Sequence, residues 1–484
     1  MAEQNLRPHK TLLFDMELAE TACGVRLRMH EPVRRGVVLE CNAPWEGEHT
    51  GYGKMIFDGE KYRYYYRGGG ANGGPWKEGT GEHGVWCVAY SRDGKHFEKP
   101  DLGLYEFEGS THNNIVMQLD DKAIDNFSIM LDTNPACPAD AKYKAISGYR
   151  HDGKKHLGYY KSADGLSFTY VEDIPVEGRF DSMNIVFWDE RIGKYRLYFR
   201  DYHTLDRTNR IEYEAEEHVR DIKLSLSEDF VHWSEPVLLD YGEDDRLELQ
   251  LYTNGIMPYP DSDFYVGIPT RYIDRTPDAI NYKYLPDLGG FRPFITEHFG
   301  RCGTAMTEAI LMVSRDGHHF KRTKEAFLTA GIENGENWAY GDGYMTYGMI
   351  ETVSDFPGEP NELSLYVGKG YRARPVSFER YTLRMDGFYS WRADFEGGEV
   401  ITKPIVLAEN GLTVNFATSA LGYLRIELLG LDGKPLEGYD TGRLFGNSPS
   451  RPCDFEKPLA DLAGKAVRMR ITMKDCDFYS FTSY

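Results

Sequence analysis

Five copies of one pattern constrain what this chain can fold into more than any other feature. A Ser-x-Asp-Gly-x-x-aromatic unit reads Ser91-Arg-Asp93-Gly94-Lys-His-Phe97, Ser162-Ala-Asp164-Gly165-Leu-Ser-Phe168 and Ser314-Arg-Asp316-Gly317-His-His-Phe320. A weaker copy is Ser227-Glu-Asp229-Phe-Val-His-Trp233, and a degenerate fifth keeps Asp386-Gly387. A β-prone run ending at or near an arginine precedes each copy: Tyr62–Arg67, Tyr143–Arg150, Tyr195–Arg200, Phe264–Arg271 and Leu363–Arg372. Asp-Gly is a hairpin-turn signal, and the flanking runs are rich in Tyr, Val, Ile and Phe. Each unit therefore reads as three strands, an Asp-Gly turn and a fourth strand. Five such units, at intervals of about 65–90 residues, predict a five-bladed β-propeller with long inter-strand loops. A sandwich with unrelated hairpins would not repeat the paired elements in a fixed order.

The pattern stops near residue 391. Beyond it, Leu412, Val414 and Phe416, then Leu424, Ile426 and Leu428, then Val467, Met469, Ile471 and Met473 alternate with polar residues. Period-2 alternation without the Asp-Gly unit predicts a separate β-sandwich. The expected division is an N-terminal segment (1–34) packing on the propeller, the propeller (35–390) and the sandwich (391–484). The fold class expected is thus all-β. One charged stretch, Arg210–Asp221, is the single candidate for a helix.

Charge and composition narrow the function. The chain has 484 residues and a net charge of −20, which argues against nucleic acid or an anionic membrane as partner. No apolar run approaches the length of a membrane span, and the N-terminus lacks an apolar signal core. The seven cysteines are scattered without a CxxC, so neither a disulfide framework nor a structural zinc is expected, and a cytoplasmic setting is. No His-Glu-x-x-His occurs, so no catalytic metal or other cofactor is expected. Gly68–Pro75 is glycine-rich but lacks Gly-Lys-[Ser/Thr], so it reads as a loop over the cavity rather than a phosphate cradle. The 34 tyrosines suit sugar-stacking clefts. Self-association into a homo-oligomer is left open.

Phe180-Asp181-Ser182-Met183-Asn184-Ile185-Val186-Phe187-Trp188, followed by Tyr195-Arg-Leu-Tyr, resembles the Arg-Asp-Pro blade of glycoside hydrolase family 32 and its propeller relatives. Val414–Leu428, Asp432-Gly-Lys-Pro435 and Asp475–Ser480 look like the sandwich appended to bacterial family-32-like proteins. The resemblance implies a propeller glycosidase acting on oligosaccharides. The family's Trp-Met-Asn-Asp-Pro and Glu-Cys motifs are absent; Leu251-Tyr252-Thr253-Asn254 stands at the place of the latter.

In a propeller the innermost strands start near the axis, so residues distant in sequence converge there. Counting back from the arginine-ended strands places those starts at Gly51-Tyr52, Asp125-Asn126, Asp181-Ser182, Tyr252-Thr253-Asn254 and Asp342-Gly343-Tyr344. Glycoside cleavage needs two carboxyl groups in opposite protonation states. Asp181, leading an apolar strand, is the first candidate, expected to be ionised. Glu308, among Ala305, Met306, Ala309 and Ile310, is the expected proton donor. Glu248, Asp125, Asp342 and Glu46 are further candidates. Arg67, Arg150, Arg200, Arg271 and Arg372 either brace blades or bind an anionic sugar. Trp45, Trp338 and Tyr252 are candidate stacking faces, and Asn254, Arg200 and Arg271 candidate polar contacts. The expected function is a glycoside hydrolase for short oligosaccharides, with furanosides among them. The alternatives are a glycoside phosphorylase on the same fold and a non-catalytic carbohydrate-binding propeller.

Overall fold

A computed structural model describes residues 9–69, 84–118, 125–151, 153–204, 218–242, 249–275, 283–287, 289–299, 305–371 and 375–484. Five antiparallel sheets form the blades of a propeller. Blade 1 runs Gly51–Phe57, Tyr62–Gly68, Val85–Ser91 and Ile115–Gln118 from the axis outward. Blade 2 runs Asp125–Leu131, Tyr143–His151, Lys154–Ser162 and Thr169–Asp173. Blade 3 runs Ile185–Asp189, Lys194–His203, Val219–Ser227 and Val237–Leu238. Blade 4 runs Met257–Pro258, Tyr265–Gly267, Met312–Ser314 and Lys321–Arg322, and the hairpin Thr270–Ile273 with Met306–Ala309 extends its middle strands. Blade 5 takes three strands from its own repeat, Ile350–Thr352, Glu362–Lys369 and Ser377–Arg384. Its outer strand is Val33–Glu40, from near the start of the chain.

This closure explains why the fifth copy of the repeat is degenerate. In blades 1 to 4 the Ser-x-Asp turn carries the chain from third to fourth strand. After the third strand of blade 5, Asp386-Gly387 instead leads into Tyr389–Ala393, a strand of the C-terminal sheet. That sheet has ten strands and is curled on itself around one core, with Leu412–Leu429 and Ala466–Ser483, each 18 residues long, as its long hairpin. Ala19–Cys23 and Val25–Met29 pair with this sheet, beside Gly398–Thr402 and Tyr389–Ala393. The N-terminal segment therefore serves both bodies. Of the Arg210–Asp221 stretch, 210–217 lies outside the described residues, and 219–221 is strand. The one α-helix among the described residues is Phe291–Phe299, and none is long and apolar enough to cross a membrane.

The repeated turn has a clear physical role. Ser91 Oγ accepts the N–H of Gly94 at 2.9 Å, and Asp93 Oδ1 accepts those of Lys95 and His96. The same set recurs at Ser162, Ser227 and Ser314. The turn then docks on the preceding blade. Tyr366 donates to Gly94 O, Tyr65 to Gly165 O at 2.9 Å, and Tyr198 to Gly317 O at 2.7 Å. Glycine is required at all three of these positions on two counts: φ is +72 to +75°, and a Cβ would collide with the docking tyrosine. Blade 3 solves the same problem differently: Phe230 holds φ 70° and packs its ring 4.5 Å from Tyr159 of blade 2. Gly165→Ala is therefore expected to cost about 2–4 kcal/mol in denaturant melts, combining left-handed strain with a Cβ 2.7 Å from Tyr65 Oη. Gly193→Ala, at φ +61° with nothing within 4 Å, should cost only about 1 kcal/mol.

Candidate active site

All five innermost strands are entered through the same kink. The pairs are Gly51-Tyr52, Asp125-Asn126, Asp181-Ser182, Asn254-Gly255 and Asp342-Gly343, and the second residue of each is left-handed, at φ 51, 54, 76, 56 and 69°. Glycine adopts this freely; Tyr52, Asn126 and Ser182 do so at a cost on the order of 1 kcal/mol each. The repeat thus makes Asp125, Asp181 and Asp342 equivalent positions around one axis.

Asp181 is about a third exposed (34%) and receives Arg200 Nη2 at 2.5 Å, while Arg200 is 1% exposed. The Arg200 guanidinium lies 4.6 Å over the ring of Tyr252, whose hydroxyl is pushed up to about 12 by burial and then by the Asp181 charge. Tyr340 donates to Tyr252 Oη, and Tyr252 stacks on Tyr344 with centroids 5.8 Å apart and 7° between planes. Tyr344 stacks on Tyr52, over which Arg67 lies at 4.8 Å. Rings and guanidiniums from blades 1, 3, 4 and 5 thereby form one continuous floor.

Asp342 sits differently. Its carboxyl is buried, accepts the Ala339 N–H at 3.0 Å, and is pushed up to about 6 by burial, against the pull of Lys369, the Ala339 and Trp338 backbone and Arg292. Gly343 presses against the Glu308 backbone so closely that a Cβ would lie 2.8 Å from Glu308 Cα, and Thr307 Oγ1 donates to Asp342 O. The structure therefore brings Asp342 beside Glu308. Glu308 is 21% exposed, and its carboxylate is gripped by the cross-strand Arg271 through Nε at 2.9 Å and through Nη2. The drier surroundings expected for Glu308 belong to Asp342 instead. Apolar neighbours in sequence say nothing about the arginine on the paired strand.

Other candidates separate. Glu46 is buried between Lys99 Nζ at 2.6 Å, the Tyr66 hydroxyl and the Ala43 N–H, so its oxygens are spent inside blade 1. Trp45 donates to Asn114 Oδ1 and packs edge-on to Phe107 in that same core. Two residues after Glu46, Glu48 is half-buried, its Oε1 has no partner among the described residues, and burial pushes its carboxyl up. It is the acid of Trp45-Glu46-Gly47-Glu48 nearer the strand start, a signal the sequence offered. Asn254 spends its amide on Met183 O at 3.0 Å and on the Ile256 N–H, joining blades 3 and 4. Trp338, left-handed and half-buried, donates to Gly331 O just before Asp342. Arg150 is exposed. Glu248, Arg372, most of the Gly68–Pro75 run and the side chain of Asp125 lie outside the described residues.

Below this ring the axis is closed. Lys54 Nζ donates to Ser128 Oγ and to Asn184 O, and lies 4.8 Å over the Tyr347 ring. These groups come from blades 1, 2, 3 and 5. Burial pushes the Lys54 ammonium well below its ordinary value. The unfolded chain therefore holds this proton to higher pH than the fold does, and stability rises with pH between the two values. Relative to Lys54→Met, the parent protein should gain melting temperature as pH rises toward ~10, the ordinary lysine value. Parallel curves for the two proteins would rule the buried charge out. Among the described residues no group of three or more His, Cys, Asp or Glu is placed to hold a metal ion.

No family model and no curated protein matches the chain. Solved structures similar to it include an N-acetylgalactosamine deacetylase from F. plautii in complex with blood group B trisaccharide, at 12% identity over 74% of this chain and 96% of that one, with TM-score 0.45. A thermostable family-43 glycoside hydrolase aligns at 14% identity over 73% and 95%, with TM-score 0.43. A glycosyl hydrolase from Bacteroides ovatus aligns at 13% identity over 73% and 94%, with TM-score 0.41.

Proposed function

We propose that this protein cleaves glycosidic bonds of short oligosaccharides or glycosides at the axial end of the propeller. Asp181 serves there as the ionised carboxylate and Asp342 as the proton donor. The observation that carries this reading is the contrast between two equivalent aspartates. One is solvated and paired with a buried arginine; the other is buried and pushed up to about 6. Opposed environments for two carboxyl groups are what acid–base cleavage of an acetal requires. The tyrosine floor, its rings stacked on one another and under Arg67 and Arg200, holds the Arg200 guanidinium in place against Asp181. Glu308, held in a charge pair with Arg271, stands on the strand whose backbone packs against Gly343. The test is digestion of a glycan library by the purified protein, with and without inorganic phosphate. Products that form only with phosphate would make the reaction phosphorolysis at the same site. Binding without turnover would leave a carbohydrate-binding propeller.

A further inference from the structure

The five strand entries are equivalent, so the side chains at their left-handed positions can be compared directly. Gly255 and Gly343 have none. Tyr52 commits its ring to Tyr344 and Arg67. Ser182 Oγ donates to Tyr252 O at 2.6 Å. Asn126 alone carries a side chain that is polar, 2% exposed and uncommitted: neither Nδ2 nor Oδ1 has a hydrogen-bond partner among the described residues. It holds this place at φ 54°, in a conformation that costs energy for any residue but glycine. One residue past the equivalent position in blade 5, the Tyr344 hydroxyl is also buried without a partner, on a ring clamped between Tyr52 and Tyr252. Buried polar groups left unbonded destabilise a fold, and in native proteins they mark places where something else bonds them.

The chemistry of the amide selects the ligand. A cation would satisfy Oδ1 alone, and an anion Nδ2 alone. Two adjacent hydroxyls satisfy both, one accepting from Nδ2 and the other donating to Oδ1. We propose that Asn126 and Tyr344 read the sugar bound beside Asp181 and Asp342: Asn126 pairs with a free vicinal hydroxyl pair, and Tyr344 holds a further polar atom of the same ring. The substrate class is then a glycoside whose terminal sugar has two neighbouring unsubstituted hydroxyls. The inference rests on the reading of the site as one that takes sugars.

Asn126→Gly tests this cleanly, because glycine takes the left-handed conformation without strain and removes only the amide. The probes are a panel of p-nitrophenyl glycosides for turnover and the free monosaccharides for calorimetric binding. On a cleaved glycoside, Asn126→Gly should raise KM on the order of tenfold to a hundredfold, with kcat changed far less. Tyr344→Phe should act in the same direction. The dideoxy analogue lacking both paired hydroxyls should be handled equally by parent and Asn126→Gly, a coincidence that a merely structural role would not produce. A glycoside cleaved with parental KM by Asn126→Gly overturns the inference and leaves glycoside cleavage standing. A monosaccharide bound by the parent but not by Asn126→Gly, without turnover of any glycoside, upholds the inference and removes the proposed reaction. If the parent neither binds nor cleaves any sugar in the panel, both fall.

Discussion

Asp181→Asn and Asp342→Asn, each first confirmed to fold, are expected to lower kcat/KM by about 10²–10⁴ on an identified glycoside. The two losses should differ in their pH dependence. In the parent, kcat/KM should fall as pH rises through about 6, because the buried Asp342 carboxyl must keep its proton to serve as donor. Burial raises the folded-state value above the ordinary 3.8, so the protonated form persists across the window from about 4 to 6. Asp342→Asn should abolish that alkaline limb, whereas Asp181→Asn should lower the whole profile and keep it. Glu308→Gln separates the two readings of blade 4. If Glu308 only balances Arg271, its loss should raise KM or lower stability and leave the limb near pH 6 in place. A limb that disappears in Glu308→Gln and survives in Asp342→Asn would return the proton-donor role to Glu308.

Removing residues 1–40 is expected to abolish cooperative unfolding. The truncation strips blade 5 of its outer strand and bares the edge of Ser377–Arg384, an open template for aggregation. It also takes three strands from the C-terminal sheet. Glu379, which is 3% exposed, loses the two-pronged grip of Arg34, and Glu362 loses Arg35 at 2.6 Å. Arg34→Ala alone should cost about 1.5–3 kcal/mol, since it leaves a buried carboxylate short of its charged partner. A truncated chain that melts cooperatively with the parental midpoint would show that the closing strand contributes little.

Much of this architecture is local chemistry and could be read from the chain. The Ser-x-Asp-Gly turns bond within themselves, the arginine-ended runs carry their own strand propensity, and the kinks at Asp125-Asn126 and Asp342-Gly343 use residues that tolerate left-handed backbone better than most. Blade number and the positions of strand starts follow from such signals, because each is decided within a few residues.

What only the tertiary structure decided was pairing between residues far apart. Val33–Glu40 belongs to blade 5 because it meets Ser377–Thr382 across the whole propeller, and no turn signal encodes that contact. Glu308, expected in dry surroundings from its sequence neighbours, faces Arg271 across a hairpin. Glu46 rather than Glu48 is captured by Lys99 and Tyr66. Asp342 owes its raised carboxyl to burial against blade 4, and Lys54 closes the axis on groups from blades 2 and 3. Periodicity reports which face of a strand is apolar. The charge state of a buried group depends on partners and solvent exclusion, and in a propeller those come from blades separated by tens to hundreds of residues.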